Sequence, residues 1–300
     1  MERIALIGLG RISEYYTAGI AASPRFQLCA VCDLLPEAAS ADIYGGYPFY
    51  RDYRELIAAE KPDWILISTP PKTHFEIASY ALSQGVSVLT EKPATRTLAE
   101  LDALCALSEQ TGAAFDVMFH WQWGAEIPAL AAILAEGGLE RADVEIRDPY
   151  SANGHAINAD RFGMQGVWLD SGVNALSMLK ALLPMERVSL RTVEAERCTA
   201  SGQPIFVSVC LDVDGVPITL TVDWRQHDDP KRSLFVLNGE EIVVDHMAQT
   251  LKRGEKTQSF YAQNRLLQHY LDFFLHADIG AGLASAHRIH EILFEVNERL

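Results

Sequence analysis

A glycine-rich stretch near the start of the chain has the residue types that bind phosphate groups. It reads IALIGLG from Ile4 to Gly10, and Arg11 and Ile12 follow it. Gly8 allows a tight turn after a buried strand, and Gly10 lets backbone amides approach a pyrophosphate at the start of a helix. The stretch therefore predicts a dinucleotide-binding turn.

Two residues refine this prediction. Ser13 holds the third position of the pattern, where glycine or alanine is usual, and its small side chain still permits close packing. Asp33 ends the next apolar run, where a carboxylate accepts hydrogen bonds from ribose hydroxyls and repels a 2′-phosphate. We therefore predict NAD as the cofactor, with NADP as the alternative.

Two polar stretches follow other apolar runs, Thr69-Pro70-Pro71 with His74 and Glu91-Lys92-Pro93. Ligands bind at the carboxyl ends of strands in an open parallel sheet, so we expect both stretches beside the glycine turn, in contact with the cofactor. The alternative for the first stretch is a helix start, which Pro71 suits. Pro93 restricts the backbone of Lys92 and helps to aim its ammonium group.

A polar pair opens a later helix-like segment that is otherwise apolar. Asp170 and Asn174 are four residues apart and share one helix face. Asp170 either caps the helix or takes a proton from a substrate hydroxyl that Asn174 holds, while Lys92 stabilises the developing alkoxide. A desolvated Lys92 is also able to act as the base, so the sequence leaves the identity of the base open.

Further residues near the middle of the chain have side chains that bind sugars through aromatic faces or polar groups. The candidates are His120, Trp121, Asp148, His155 and Asn158. The alternative for the aromatic cluster that begins at His120 is packing between domains, and the alternative for the other three is turn formation. No group of residues has the spacing of metal ligands, so we expect no metal.

The elements that position these residues change in type near residue 119. Up to residue 118, continuous apolar runs alternate with helical patterns, which is typical of a parallel, doubly wound α/β sheet. The runs are Ile4–Ile7, Leu28–Cys32, Trp64–Ile67, Val86–Leu89 and Ala113–Val117. Thr73 with Glu76, and Thr97 with Glu100, have the spacing of capping boxes at helix starts.

The second part of the chain shows strands with alternating polarity, framed by helices. Asp214-Gly215 and Asn238-Gly239 predict tight hairpins, so we expect an antiparallel meander. Helical patterns cover residues 126–136, 170–183, 260–276 and 284–300. We therefore expect an α/β domain over residues 1–118 and an α+β domain over residues 119–300, with a cleft between them.

Composition excludes several classes of function. The chain has 25 Lys and Arg against 40 Asp and Glu, a formal charge of −15, which disfavours binding to nucleic acid. No apolar run is long enough to span a membrane, and the first residues lack the apolar stretch of a signal peptide, so we expect a cytoplasmic protein. The five cysteines do not suggest a disulfide framework, and Cys29 and Cys32 lie on opposite faces of a strand.

The motifs together resemble a known enzyme family. The Gly8–Ile12 turn, the Thr-Pro-Pro-x-x-His stretch and Glu91-Lys92-Pro93 are similar to the oxidoreductases typified by glucose–fructose oxidoreductase and inositol 2-dehydrogenase, the Gfo/Idh/MocA family. This resemblance implies an N-terminal Rossmann domain that binds NAD or NADP, and a C-terminal domain whose open-faced antiparallel sheet carries helices on one side. It also implies that Lys92 lies near the nicotinamide and the substrate hydroxyl.

One residue differs from the usual family pattern and points to a subgroup of the family. Most members carry Asp-x-Gly-x-His, whereas this chain has Asn174 in place of the histidine, within Asp-x-Gly-x-Asn-Ala-Leu-Ser. That version resembles the L-arabinose and D-galactose 1-dehydrogenases of the family and implies oxidation of a sugar hemiacetal to a lactone. The alternatives are a dehydrogenase of inositol or another cyclic polyol, and a non-catalytic regulator that binds NAD and senses a sugar. The apolar sheet face predicts a homodimer or homotetramer.

Overall fold

The computed structural model describes residues 1–38, 41–150, 165–225 and 228–300 of the chain. They form two compact units, one of residues 1–118 and 269–288 and the other of residues 119–268 and 289–300. Residues 269–288, which we had assigned to the second domain, belong to the first unit, because they pack on its sheet and helices rather than on neighbours in sequence.

The first unit is built on a parallel sheet with the strand order β3-β2-β1-β4-β5-β6. This order confirms the doubly wound, Rossmann-type architecture. Its strands are β1 (Glu2–Ile7), β2 (Phe26–Cys32), β3 (Phe49–Tyr50), β4 (Trp64–Ile67), β5 (Ser87–Glu91) and β6 (Phe115–Met118). Its helices are α1 (Ser13–Ala22), α2 (Ala41–Tyr44), α3 (Tyr53–Glu60), α4 (His74–Ser83) and α5 (Leu98–Thr111).

Of the two capping boxes expected in this unit, the one at Thr97 is present and the one at Thr73 is not. Thr97 caps α5, since its side chain accepts the N–H of Glu100, and Gly112 ends that helix in the left-handed region at φ 72°. The capping box at Thr73 is wrong. Its hydroxyl instead donates to the carbonyl oxygen of Pro70 at 2.8 Å, because a short 3₁₀ turn over Pro71–Thr73 precedes α4.

The C-terminal part of the chain returns to complete the first unit. Asp116, at the end of β6, accepts the N–H of Gly280 at 2.7 Å, and Arg25 donates to the carbonyl oxygen of Ile279 at 2.7 Å. Gly19 of α1 leaves room for the ring of Phe274, which a side chain at that position would overlap. The Rossmann domain is therefore assembled from two distant stretches of sequence.

The second unit contains an eight-stranded mixed sheet with the order β14-β13-β12-β11-β7-β10-β9-β8. Its strands are β7 (Leu139–Arg147), β8 (Val188–Arg197), β9 (Pro204–Val213), β10 (Val216–Asp223), β11 (Lys231–Leu237), β12 (Glu240–Asp245), β13 (Thr250–Arg253) and β14 (Lys256–Ser259). Both expected hairpins are present, with positive φ at Asp214-Gly215 and Asn238-Gly239.

The sheet departs from the expected antiparallel meander at strand β7. Strand β7 pairs with β10 in parallel and with β11 antiparallel. A long segment separates β7 from β8, so β7 is free to insert in the middle of the sheet, whereas hairpin turns report only strands that are joined directly.

Four further helices have bounds close to those expected. They are α6 (Ile127–Leu134), α7 (Val173–Leu182), α8 (Arg265–His276) and α9 (Leu283–Asn297). Helix α8 begins later than its apolar pattern suggested, because the side chain of Asn264 accepts the N–H of Leu267 and starts the helix there. No helix among the described residues is long and apolar enough to cross a membrane.

Candidate active site

The glycine turn joins β1 to α1 and lies against the loop after β4. Gly8 has φ +94°, and a Cβ atom there would stand 2.8 Å from backbone atoms of Ser68 and Thr69. The hydroxyl of Ser68 donates to the carbonyl oxygen of Gly8 at 2.7 Å. Only glycine permits this approach of two backbones.

Gly10 differs from Gly8 because nothing lies within 4 Å of the position that its Cβ would take. Among the described residues, no acceptor receives the backbone N–H of Arg11 or Ile12, which precede the first turn of α1. Open space beside a glycine and amides at a helix start together fit a pyrophosphate group.

Ser13 closes this turn from the helix side. Its hydroxyl donates to the carbonyl oxygen of Gly10 at 2.6 Å and accepts the hydroxyl of Tyr44 at 2.7 Å. The side chain is buried. The departure from glycine or alanine at this position thus adds hydrogen bonds to the turn and keeps the packing close.

Asp33 lies at the end of β2 and holds the turn from the other side. One carboxylate oxygen accepts the N–H of Leu9 at 2.8 Å and the other accepts the N–H of Leu35 at 3.0 Å. Each carboxylate oxygen has a second lone pair, so the group is still able to accept ribose hydroxyls. The neighbouring Leu34 is exposed, and its carbonyl oxygen accepts the guanidinium group of Arg51 at 3.2 Å.

His74 connects the loop after β4 to the loop after β5. Its Nε2 lies 2.7 Å from the carbonyl oxygen of Thr69, and its Nδ1 lies 3.0 Å from that of Pro93. The ring is fully buried, and burial lowers the pKa of His74. We had expected this ring to contact the cofactor. Both ring nitrogens instead lie beside backbone carbonyl oxygens of the two loops, so His74 positions these loops.

Lys92 follows β5, and its backbone is held by the side chain of the preceding residue. Its N–H donates to Glu91 at 3.0 Å, and the Lys92–Pro93 bond is cis. The other carboxylate oxygen of Glu91 accepts the hydroxyls of Tyr16 at 2.7 Å and Tyr270 at 2.8 Å. The Glu91 side chain therefore holds this loop in place. The sequence had predicted only that Glu91 contacts the cofactor.

The second unit carries Asp170 on a π-helical turn, Trp168–Gly172, that leads into α7. The indole of Trp168 is buried and donates to the carbonyl oxygen of Leu293 at 2.9 Å. A Cβ at Gly172 would stand 2.5 Å from that indole ring. The expected α-helical start at Asp170 is thus a wider turn, fixed by a buried tryptophan.

Asp170 on this turn and Asn174 at the start of α7 are both half-buried. The side-chain amide of Asn174 donates to the carbonyl oxygen of Asp170 at 3.4 Å. Its Oδ1 is buried and has no hydrogen-bond partner among the described residues. An unsatisfied buried acceptor suits a ligand that brings hydroxyl groups.

Asp148 holds the π turn from the end of β7. Its carboxylate accepts the ammonium group of Lys231 and the hydroxyl of Ser171, each at 3.0 Å. Sequence reasoning missed Lys231. The signal was a lysine on the face of β11 that otherwise carries Ser233, Phe235 and Leu237, all buried.

The aromatic cluster after β6 is packed within the second unit. Trp121 is 4% exposed, with its ring centroid 5.4 Å from that of His246 and 5.7 Å from the guanidinium carbon of Arg265. His246 in turn contacts Glu126 at 2.6 Å and Ser233 at 2.8 Å. This buried chain was not recognised from the sequence, since its members lie far apart in it. Trp121 therefore acts in packing, while His120 is half-buried.

Two remaining predictions fall in the loop before the π turn, at His155 and Asn158, which lie outside the described residues. Helix α9 carries two histidines, which differ in exposure. His287 contacts Asp102 at 2.7 Å in partly exposed surroundings, but His290 is fully buried. Among the described residues, no three His, Cys, Asp or Glu side chains gather in a way that suits a metal ion.

Part of the chain matches a known protein family, and several known proteins are similar to it in sequence. Residues 2–119 match the model of the GFO_IDH_MocA family, described as an oxidoreductase family with an NAD-binding Rossmann fold. D-apiose dehydrogenase of Paraburkholderia graminis is 25% identical over 77% of this chain and 62% of its own length. Galactose 1-dehydrogenase of Pseudomonas fluorescens is 29% identical over 61% of this chain and 58% of its own length.

Solved structures show the same fold over nearly the whole chain. GenD2 from gentamicin A biosynthesis, in complex with NAD, has a TM-score of 0.81 and 17% identity and covers 99% of this chain and 93% of its own. KijD10, a 3-ketoreductase of Actinomadura kijaniata, in complex with NADP and TDP-benzene, has a TM-score of 0.84 and 17% identity and covers 99% of this chain and 97% of its own.

The class of protein follows from the fold, the glycine turn and these matches. The first unit contains an NAD-binding Rossmann domain, since residues 2–119 match the model of the Gfo/Idh/MocA oxidoreductase family. For that part of the chain, the match confirms the resemblance seen in the sequence. The chain spans between 40% and 62% of the length of the first curated relatives that it matches.

Proposed function

We propose that this protein is an NAD-dependent sugar dehydrogenase that oxidises the hemiacetal carbon of an aldose to a lactone. The observation that carries the proposal is the pair formed by Asp170 and Asn174. The side-chain amide of Asn174 donates to the backbone carbonyl oxygen of Asp170, and Asn174 Oδ1 is buried without a hydrogen-bond partner among the described residues. A sugar hydroxyl donating to that oxygen would satisfy it and bring its neighbour close to Asp170.

The cofactor residues support NAD. NAD, when bound, would supply the hydride acceptor of the reaction. The space beside Gly10 and the amides of Arg11 and Ile12 would hold its pyrophosphate. Asp33 accepts the ribose hydroxyls and opposes a 2′-phosphate by charge repulsion.

The proton of the anomeric hydroxyl has two possible destinations in this chain. Asp170 accepts it as a carboxylate while the ammonium group of Lys92 stabilises the negative charge that develops on the oxygen. In the second version Lys92 is the base and Asp170 orients the hydroxyl. Asn174 is not a third candidate, because an amide takes up no proton at neutral pH.

The choice of substrate class rests on residue 174 and on the relatives. Galactose 1-dehydrogenase and D-apiose dehydrogenase are named for sugars, whereas inositol 2-dehydrogenase of Rhizobium meliloti, 27% identical over 64% of this chain, is named for a cyclic polyol. A cyclic polyol is therefore the second candidate.

The test is a spectrophotometric assay with purified protein, NAD or NADP, and a panel of L-arabinose, D-galactose, D-xylose, D-apiose and myo-inositol. We expect reduced cofactor with at least one aldose, and a lactone as the product by NMR. Turnover of inositol alone would favour the polyol. No turnover of any compound, with NAD binding demonstrated by calorimetry, would refute the proposed activity and favour a sugar-sensing regulator.

We also propose self-association through the outer face of the mixed sheet. Val243 of β12 and Met247 just after it are exposed large apolar residues, 37% and 42% accessible. Val243 points away from the buried side of its strand, and exposed apolar residues of this kind suit a subunit interface. Light scattering after size exclusion is expected to give a dimer or a tetramer, and a monomer at micromolar concentration would reject this proposal.

A further inference from the structure

The carboxylate of Glu91 is the meeting point of three elements that are distant in sequence. Its Oε1 accepts the hydroxyl of Tyr16 from α1 at 2.7 Å and the hydroxyl of Tyr270 from α8 at 2.8 Å. Its Oε2 accepts the backbone N–H of Lys92 at 3.0 Å. One side chain thus ties the helix that starts at the glycine turn, the end of β5 and the returning C-terminal helix together.

Both phenols are permanent donors to this carboxylate. Tyr16 is 0% and Tyr270 is 1% exposed, and their ring centroids are 4.9 Å apart at 88°. Burial, together with the negative charge of Glu91, raises the pKa of each phenol well above its ordinary value. Because neither hydroxyl ionises in the physiological range, each keeps its proton in a hydrogen bond to an ionised acceptor, which is stronger than a bond between neutral groups.

The arrangement is more elaborate than packing alone requires. A phenylalanine at either position would fill the same volume and keep the perpendicular ring contact. The hydroxyls and the carboxylate therefore serve another purpose, and the group that they hold is the peptide of Lys92. The ring of His74 secures the same loop from the other side through the carbonyl oxygen of Pro93, at 3.0 Å.

We propose that Tyr16 and Tyr270 are positioning residues, which act through Glu91 to fix the backbone of Lys92 relative to the glycine turn. The inference rests on the proposed function, in which Lys92 acts on the reacting hydroxyl. Geometry of this kind contributes strongly to turnover, because small misplacements of a catalytic group cost large factors in rate. Substrate and cofactor binding depend less on it.

The test uses the full-length variants Tyr16→Phe, Tyr270→Phe, the double variant and Glu91→Gln. Tyr15→Phe is the matched control, since its ring centroid lies 5.7 Å from that of Tyr270 while Tyr15 makes no hydrogen bond to Glu91. Thermal unfolding establishes that each variant folds, and calorimetric titration gives its affinity for NAD.

Hydrogen exchange read by mass spectrometry measures positioning without any substrate. We expect the peptide that covers residues 91–94 to exchange at least about tenfold faster in the double variant, because a segment that loses its anchoring bonds opens more often. The peptide of β1 is expected to exchange at its original rate. We expect kcat to fall by about tenfold in each single variant and about a hundredfold in the double one, while KM and the NAD affinity stay within about threefold of wild type.

Each outcome decides the matter. Unchanged exchange over residues 91–94 in the double variant would overturn the inference, as would an equal loss of kcat in Tyr15→Phe. Lack of turnover in the wild-type protein would refute the proposed function, but the exchange experiment would still decide whether the two phenols hold the Lys92 peptide.

Discussion

Replacing each of the two glycines of the nucleotide turn by alanine is expected to have a different effect: one substitution lowers stability, and the other lowers the affinity for NAD. In Gly8→Ala the new Cβ would stand 2.8 Å from the backbone of Ser68 and Thr69, and the residue would keep φ near +94°. An L-residue in a left-handed conformation costs about 1–2 kcal/mol, and displacing packed backbone costs about 1–3 kcal/mol more. We therefore expect the free energy of unfolding to drop by about 2–5 kcal/mol.

Gly10→Ala is the matched substitution, because nothing lies within 4 Å of its Cβ position. We expect its stability to stay within about 0.5 kcal/mol of wild type, with a small gain possible from the less flexible unfolded chain. Its affinity for NAD is expected to fall at least about tenfold, or about 1.4 kcal/mol, since the methyl group takes the space meant for the pyrophosphate.

The assay is thermal unfolding with and without NAD, combined with calorimetric titration. For a domain of this size, we expect the Tm of Gly8→Ala to fall by several degrees, at about 2–4 °C for each kcal/mol. If Gly10→Ala binds NAD as tightly as the wild type, the space beside Gly10 is not the pyrophosphate site. If Gly8→Ala keeps its full stability, the account of the close approach is incorrect.

Three other predictions concern single side chains. Asp170→Ala and Lys92→Ala are each expected to lower kcat at least about a hundredfold with NAD binding preserved by calorimetry; full activity in either variant would remove that residue from the mechanism. Asp33→Asn removes a negative charge and one of two acceptors for Leu9 and Leu35, so the ratio of kcat/KM with NADP to that with NAD is expected to rise at least about tenfold, and an unchanged ratio would contradict this. Burial lowers the pKa of His74 from 6.5, so the buried neutral ring stabilises the fold fully above pH 6.5, and this contribution is lost as the pH falls from there through the lowered value. His74→Gln is therefore expected to show a shallower fall of Tm than wild type between pH 7 and pH 5. Parallel curves of Tm against pH for the two proteins would contradict this prediction.

Much of the first unit was predictable because its signals are local. Continuous apolar runs, glycines at turns and the cap at Thr97 each act over a few residues, and they matched the strands and α5 closely. The glycine turn and Asp33 were found for the same reason. The exception at Thr73 came from an inserted 3₁₀ turn, in which proline geometry competes with capping.

Partners from distant sequence were not predictable. The bonds from Tyr270 to Glu91 and from Lys231 to Asp148 join residues that are 179 and 83 positions apart, and no local pattern reports such pairs. The parallel pairing of β7 with β10 was missed because a hairpin signal identifies only strands joined by a short turn.

The sequence by itself determined the class of the chain: periodicity sets which segments are strands or helices, and the steric freedom of glycine marks the nucleotide turn wherever it occurs. Only the tertiary structure decided which polar side chains are engaged in holding the fold. His74 and Glu91 have side chains of the types that bind cofactors. In the folded chain, however, carbonyl oxygens surround His74, and phenols and a backbone amide donate to Glu91. A buried polar group must be satisfied by whatever the chain places beside it, and that choice depends on the whole fold.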